Sequence, residues 1–273
     1  MMFMYSADLG LSSFNAVLIE DKEIKKKKRV FLNPKKSVSK QRQEFLSDKF
    51  FSDAETIALT GANSIKIKEI QGKKIIKVNE IEAIAKGASF LSKQKEFLAA
   101  SAGTGICFVS VKRKKNAHIG GTAIGGRTLL GLSYFLTKKT DFKEIESCAK
   151  KGNLKKMDLM LKDVYPKGIG LLKKNVSVAH FGKTKSRKKE DLCAGVFNMV
   201  SQGISTHALL AAKSAGHKKI VFVGSLAESS LFKKTFNECK KVFDLAEGIF
   251  PKNAGYATAI GAALIASETK KKK

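Results

Sequence analysis

Cysteine, histidine, proline and arginine are all scarce in these 273 residues. The four cysteines, Cys107, Cys148, Cys193 and Cys239, are widely scattered and form no CxxC pair, so neither a disulfide framework nor a zinc site is suggested, and reduced, mostly buried thiols are expected. The four histidines show no ligand spacing, so no resident metal cage is written here, although a magnesium ion arriving with a nucleotide is compatible with the chain. The three prolines, Pro34, Pro166 and Pro251, fall between predicted elements. No apolar run approaches the roughly 20 residues that span a bilayer. The first residues also lack the basic region and small-residue cleavage site of a secretory leader. A cytoplasmic protein without a membrane partner is expected. Acidic residues are few as well, 24 against 52 basic ones, for a formal charge of +28. Yet five of the basic residues are arginine, the side chain that most often reads bases, and the rest are lysine. The basic clusters at 25–29, 112–115, 187–189 and 270–273 sit between predicted elements or at the end of the chain, as solvated turns do. Nucleic acid is not expected as a partner; attraction of anionic substrates is the alternative use of the charge.

What is present is an ordinary apolar fraction, 43%, in a chain long enough for one large domain or two lobes with proper cores. Apolar alternation predicts three strands at 2–7, 14–20 and 29–32, the last after a basic turn. A helix over 40–50, buried strands at 56–60 and 74–78, and a helix over 80–91 follow; Ile81, Ile84, Ala85 and Ala88 give the last its inward stripe. A second set of strands, 97–102, 106–111 and 117–119, repeats the opening, so that a strand, a glycine turn and another strand occur twice. Beyond it the pattern is helical at 128–136, 141–150, 154–164 and 191–215, the last closed by Gly216. A strand at 219–223, a helix at 229–242, a strand at 246–250 and a small-residue helix at 254–266 complete an α/β chain. Gly255, Ala257, Ala259, Gly261 and Ala262 make that last helix so narrow that something must pack closely on it, and another helix would do.

The chemistry concentrates in the turns. Asp8, at the end of a buried strand, stands before Gly10, Leu11, Ser12 and Ser13. A carboxylate there suits a hydrated magnesium, and the backbone N–H groups and serine hydroxyls suit phosphate oxygens; an Asx-type turn closing a hairpin fits the same residues. Gly103-Thr104-Gly105 repeats the arrangement. Gly120-Gly121-Thr122-Ala123-Ile124-Gly125-Gly126-Arg127-Thr128 packs glycines where packing alone gives little reason for them, and Gly125 and Gly126 precede a helix, where free N–H groups would face an anion. Gly224-Ser225 ends an apolar strand with a flat surface fit for an adenine, though such strand ends are common. Glu80 opens a helix after an apolar strand, as either a general base or a residue that complements the helix dipole.

Taken in order, these segments resemble those of the type II pantothenate kinases, a branch of the acetate and sugar kinase, Hsp70 and actin superfamily. Asp8 to Ser12 stands at the family's Asp-x-Gly-Gly-Thr, Leu59-Thr60-Gly61-Ala62-Asn63 at its Leu-Thr-Gly-Gly-Asn, and Val78 to Ala83 at the segment with its catalytic Glu. Gly103 to Gly105, Gly120 to Leu132, Ala179-His180-Phe181-Gly182, Val223-Gly224-Ser225 and Gly255 to Ala262 follow suit. The resemblance implies a two-lobed actin-like ATPase (ribonuclease H-like) fold, each lobe a mixed sheet flanked by helices. Residues 1–95 would form an N-terminal lobe with the first phosphate motif and catalytic Glu, and 96–273 a C-terminal lobe with the nucleotide motifs and dimerisation helices. It implies ATP-dependent phosphorylation of pantothenate to 4'-phosphopantothenate, towards coenzyme A, by a homodimer with magnesium, subject to inhibition by coenzyme A or acyl-CoA. Glu80 would be the base and Asp8 would serve the transferring phosphate and the metal. Gly10 to Ser13, Gly103 to Gly105, Gly125, Gly126, Gly224 and Ser225 would hold ATP, and Cys107, His118, Gly121 and Thr122 the substrate. His118 replaces a family Arg, Cys107 a Ser and Asn15 a Lys. Arg113 and Arg127 are the candidates to make good the lost guanidinium, and a divergent nucleotide- or acyl-CoA-binding regulator on the same fold is the alternative function.

Overall fold

The computed structural model describes residues 3–33, 35–70, 72–113, 115–167, 176–243 and 245–271. The expected strand start at Met2, Pro34, Lys114 and the end of the 270–273 cluster lie outside them. The first half forms β1 (Phe3–Leu9), β2 (Ser13–Glu20), β3 (Glu23–Phe31), α1 (Val38–Leu46), β4 (Thr56–Thr60), β5 (Lys74–Lys77) and α2 (Glu80–Ser92). Its sheet has the order β3-β2-β1-β4-β5, with an antiparallel meander on one side of β1 and parallel pairing on the other. The second half begins with β6 (Phe97–Ala102), β7 (Ile106–Lys112), β8 (Lys115–Thr122), α3 (Gly126–Thr137) and α4 (Phe142–Lys151). It continues through α5 (Leu154–Met157), β9 (Leu159–Met160), α6 (Leu161–Val164), β10 (Ser177–Ala179), α7 (Lys189–Ser214), β11 (Lys219–Val223), α8 (Ser230–Phe243), β12 (Glu247–Ile249) and α9 (Ala257–Lys271). Its five-stranded sheet runs β12-β11-β6-β7-β8, again a meander beside parallel strands. The two sheets are therefore the same topology used twice, as the repeated strand–glycine–strand pattern suggests.

Four departures from the sequence pattern have physical reasons. Lys25 to Arg29 are not a turn but lie within β3, an edge strand whose lysines reach water and discourage edge-to-edge pairing; the turn is Asp21-Lys22, both at positive φ. The helix expected over 40–50 stops at Leu46, and Asp48 then caps a separate helical turn by accepting the Phe50 N–H (2.8 Å). Strand β8 runs on through Gly120 and Gly121, paired with Phe108 and Cys107, and glycine at 121 permits this close pairing, since a Cβ there would sit 2.2 Å from the Ile106 carbonyl oxygen. The helix expected over 154–164 is broken in two at Asp158. That residue turns inward, fully buried, to accept from Ser177 Oγ (2.7 Å), Asn198 Nδ2 (2.9 Å), His180 Nδ1 (3.1 Å) and the Phe181 N–H (3.0 Å).

The two halves share a helical layer. One face of the first sheet, with Tyr5, Phe14, Ile57 and Leu59, packs on Phe45 and Phe51. The other, with Met4, Val17, Ile19 and Ala58, is covered by α9 through Ala259, Ile260, Ala263 and Ala266. Helix α2 turns Ile84, Ala85 and Ala88 to Phe97, Ala99, Val109 and Val111 of the second sheet, whose far face lies under α7 and α8. Each buried Phe, Leu or Ile of this kind contributes about 1.5–3 kcal/mol. The narrow closing helix meets α2. A side chain at Gly87 would fall 1.8 Å from the Ala257 carbonyl oxygen, and one at Gly261 would fall 1.8 Å from that of Ala83. Glycine thus lets two backbones touch, and α9 completes the first sheet although it closes the second half of the chain.

Candidate active site

In both sheets the parallel strands end on the same side, the place where open α/β sheets gather ligands. The β1–β2 turn (Gly10 to Ser12) and the β6–β7 turn (Gly103 to Gly105) meet there: Ser12 Oγ and Thr104 Oγ1 are 2.7 Å apart. Asn63 Nδ2 donates to the Gly10 carbonyl (2.8 Å), tying the first turn to the segment after β4. The Ser12–Thr104 bond joins residues 92 apart. We expect Ser12→Ala and Thr104→Val each to lower stability, with a coupling energy of about 1 kcal/mol in a double-mutant cycle followed by urea denaturation. Strictly additive losses would mean that the turns do not hold each other.

Asp8 faces Asn15 across the β1–β2 ladder and Thr60 across the β1–β4 ladder. Its Oδ1 and the Thr60 Oγ1 are buried and unbonded. Gly61, at φ +86°, brings its backbone against the carboxylate, where an added Cβ would lie 2.6 Å from Oδ1. Burial pushes the Asp8 carboxyl up to about 7, helped by the charge of Glu80 and opposed by hydrogen bonding from Asn15. Glu80, at the head of α2, is reached by solvent but surrounded by enough protein that desolvation raises its carboxyl too. Asn79 caps this helix by accepting the N–H groups of Ile81 (2.9 Å) and Glu82 (3.3 Å). Burial, then Glu80, pushes the Cys107 thiol up to about 11. The charge of Glu80 thus bears on both Asp8 and Cys107.

Cys107 pairs with Gly121 and Ile106 with Thr122 across the β7–β8 hairpin, which sets the four expected substrate positions on adjoining strands. His118 pairs with Val109, on the sheet face that packs on α2, and is exposed. Beside it Asn116 Nδ2 donates to Glu82 Oε2 (2.7 Å). Arg113 does not compensate for the missing guanidinium: it lies at the other end of the hairpin from Cys107, 3.6 Å from Glu96. The N–H groups at the head of α3 differ from expectation. Those of Gly126 and Arg127 donate to the carbonyls of Gly103 (2.9 Å) and Thr104 (3.1 Å), and that of Gly125 to Thr128 Oγ1 (3.2 Å). They clip the second turn in place instead of standing free. Glycine is needed because a side chain at 125 would lie 2.5 Å from both Gly105 Cα and the Thr104 carbonyl oxygen. Gly224, at φ +89°, presses in the same way on Ala102, so Ser225 lies beside the second turn. Of the polar groups just described, Asn116 and the Ser12–Thr104 bond escape sequence reasoning, while Thr60 and Asn63 enter it only as members of a motif with no role given; the repeated hairpin is the one clue to the Ser12–Thr104 bond.

A family model described as Fumble matches residues 96–265. Over 216 residues, 76% of this chain and 80% of the other, the sequence is 31% identical to a protein from Oceanobacillus iheyensis named type II pantothenate kinase. The chain belongs to the type II pantothenate kinase family. Another protein of that name, from Bacillus cereus, is 26% identical over 223 residues, 78% of this chain and 82% of that one. Solved structures bear on the fold. The activator of the 2-hydroxyisocaproyl-CoA dehydratase from Clostridium difficile, with bound ADPNP, superposes with a TM-score of 0.69 at 16% identity, covering 99% of this chain and 96% of that one. A ROK family glucokinase from Streptomyces griseus, in complex with glucose and AMPPNP, gives 0.62 at 12% identity over 97% and 99%. The type II pantothenate kinase family member described here thus has the two-lobed actin-like ATPase fold its sequence implies. Among its described residues no helix is long and apolar enough to cross a membrane, and no group of three or more His, Cys, Asp or Glu is placed to hold a metal.

Proposed function

We propose that this protein is an ATP-dependent pantothenate kinase, transferring the terminal phosphoryl group of ATP to the primary hydroxyl of pantothenate. The observation that carries the reading is the meeting of the two glycine turns at Ser12 and Thr104, beside Asp8, whose carboxyl is raised by burial and by the charge of Glu80. In this reading the backbone and hydroxyls of 10–13 and 103–105 cradle the phosphates, Gly125 and Gly126 shape the second turn, and Gly224-Ser225 supports the base. Glu80, its carboxyl raised above the usual range by desolvation, takes the hydroxyl proton as the acceptor oxygen attacks. Cys107, His118, Gly121 and Thr122 line the acceptor side. The buried, unbonded Asp8 Oδ1 suits a magnesium ion held directly or through water. Bound with ATP, that ion would neutralise charge on the phosphates.

The division into lobes 1–95 and 96–273, with α9 crossing back, belongs to the same proposal. So do a homodimer in the cytoplasm and inhibition by coenzyme A or its esters. Exposed Tyr134, Phe135 and Leu136 on α3 and Leu210 on α7 support a subunit interface near the long helix. The test is a coupled ADP assay with purified protein, ATP, magnesium and pantothenate. Glu80→Gln is expected to lower kcat by about a hundredfold or more with the KM for ATP little changed. Equal rates in the two proteins would remove Glu80 from the mechanism, and ATP binding without pantothenate turnover would favour the regulator.

A further inference from the structure

Arg29, near the end of β3, reaches from the first sheet to the turns of the second. Its Nε donates to Asn15 Oδ1 (2.8 Å), and its Nη1 and Nη2 donate to Glu228 Oε2 (2.8 Å) and Oε1 (3.3 Å). The guanidinium carbon lies 4.4 Å from the centre of the Tyr256 ring. Glu228 Oε1 also accepts the Gly255 N–H (3.1 Å), and a Cβ at 255 would lie 1.8 Å from Arg29 Nη2, so a side chain there would push the guanidinium aside. Burial raises the Glu228 carboxyl, but Arg29 outweighs it and holds the group below its usual range.

The two ends of this fork matter. Asn15 is the residue opposite Asp8 in the β1–β2 ladder. Glu228 ends the helical turn that begins at Ser225, directly after the Gly224 backbone pressed on Ala102. A planar, bidentate Arg–carboxylate contact fixes orientation as well as distance. The Arg29 side chain is 13% exposed and Glu228 37%, so the pair is largely shielded at its Arg29 end and breaking it costs some stability as well. Its chief consequence is geometric.

We propose that Arg29 is a positioning residue for nucleotide binding, holding the Gly224–Ser225 turn at a set distance and angle from the strand pair that carries Asp8. The role rests on the cleft being a nucleotide site, as argued above, and acts through Glu228 and Asn15 without contact to ATP. A lysine, with one point charge and no fork, cannot reach Asn15 and both Glu228 oxygens together.

The test compares the full chain with Arg29→Gln, Arg29→Lys, Glu228→Gln and the double variant Arg29→Gln/Glu228→Gln. Affinity for AMPPNP with magnesium is read by calorimetry, and the KM values for ATP and pantothenate by the coupled assay. Arg29→Gln and Glu228→Gln are each expected to weaken AMPPNP binding and raise the KM for ATP about tenfold, leaving the KM for pantothenate within about twofold. The double variant should be no worse than either single one, and Arg29→Lys should recover part of the loss. Should Arg29→Gln fail to fold, Glu228→Gln and Arg29→Lys carry the same comparison. Unchanged AMPPNP affinity in the folded variants, with only a lower Tm, overturns the proposal. A wild type that turns pantothenate over while Arg29→Gln matches it sinks the positioning role alone. A wild type whose nucleotide affinity depends on Arg29 but which phosphorylates nothing sustains the role and sinks the kinase reading.

Discussion

Asp8→Asn is expected to give a protein that is more stable than the parent above pH 7 and no longer transfers phosphate. An exposed Asp titrates at 3.8, whereas burial, reinforced by Glu80, pushes Asp8 up to about 7 in the folded chain. The folded state therefore favours the proton, and the relative stability this confers is complete below about pH 4 and gone once pH passes about 7. Above that, keeping the carboxylate inside costs up to about 4 kcal/mol. Asp8 is not wholly shut off from solvent, which makes this an upper figure. Asparagine carries no such charge. In urea denaturation without magnesium its advantage should be largest at pH 8 and vanish towards pH 4. Magnesium should stabilise the parent at pH 8 and leave Asp8→Asn unmoved, because the ion would answer the buried carboxylate charge that the variant lacks. A stability difference that is flat with pH would show that Asp8 is not desolvated as described.

Gly87→Ala and Gly261→Ala should each destabilise the chain by about 3 kcal/mol or more, with loss of activity well below the melting temperature. The added methyl has only backbone before it: the Ala257 carbonyl in one case and that of Ala83 in the other, both at 1.8 Å. Neither can swing aside as a side chain would, so the helices must separate. Since α2 carries Glu80 at its head, separation also moves the proposed base. Gly131→Ala is the internal control. It sits in α3 with nothing within 4 Å of its Cβ position, and there alanine should stabilise by about 0.5–1 kcal/mol. Thermal denaturation and the coupled assay on the three variants decide the matter; equal behaviour at positions 87, 261 and 131 would refute the close helix pair.

Much of this architecture was legible because apolar periodicity reports burial. Strands such as Phe97–Ala102 and Lys219–Val223 emerge within a residue of expectation, and the repeated strand–glycine–strand pattern foretells two alike sheets. Asp8, Glu80 and the glycine turns stand out by their order along the chain, although each alone fits an ordinary turn or helix start. Less visible was anything fixed by distant partners. Nothing local says that Lys25 to Arg29 lie on a sheet edge, that Asp158 turns inward, or that the Gly126 N–H is taken by Gly103. Arg29 and Glu228 are 199 residues apart, and each alone reads as one more surface charge. The narrow face of the last helix announced a close neighbour, but not that the neighbour would be α2.

That neighbour has a bearing on how the protein is made. Met4, Val17, Ile19 and Ala58 are finished early in synthesis, yet the helix that covers them emerges after every other described element. On the ribosome the inner wall of the first sheet therefore waits uncovered, an adhesive surface in need of a chaperone or of speed.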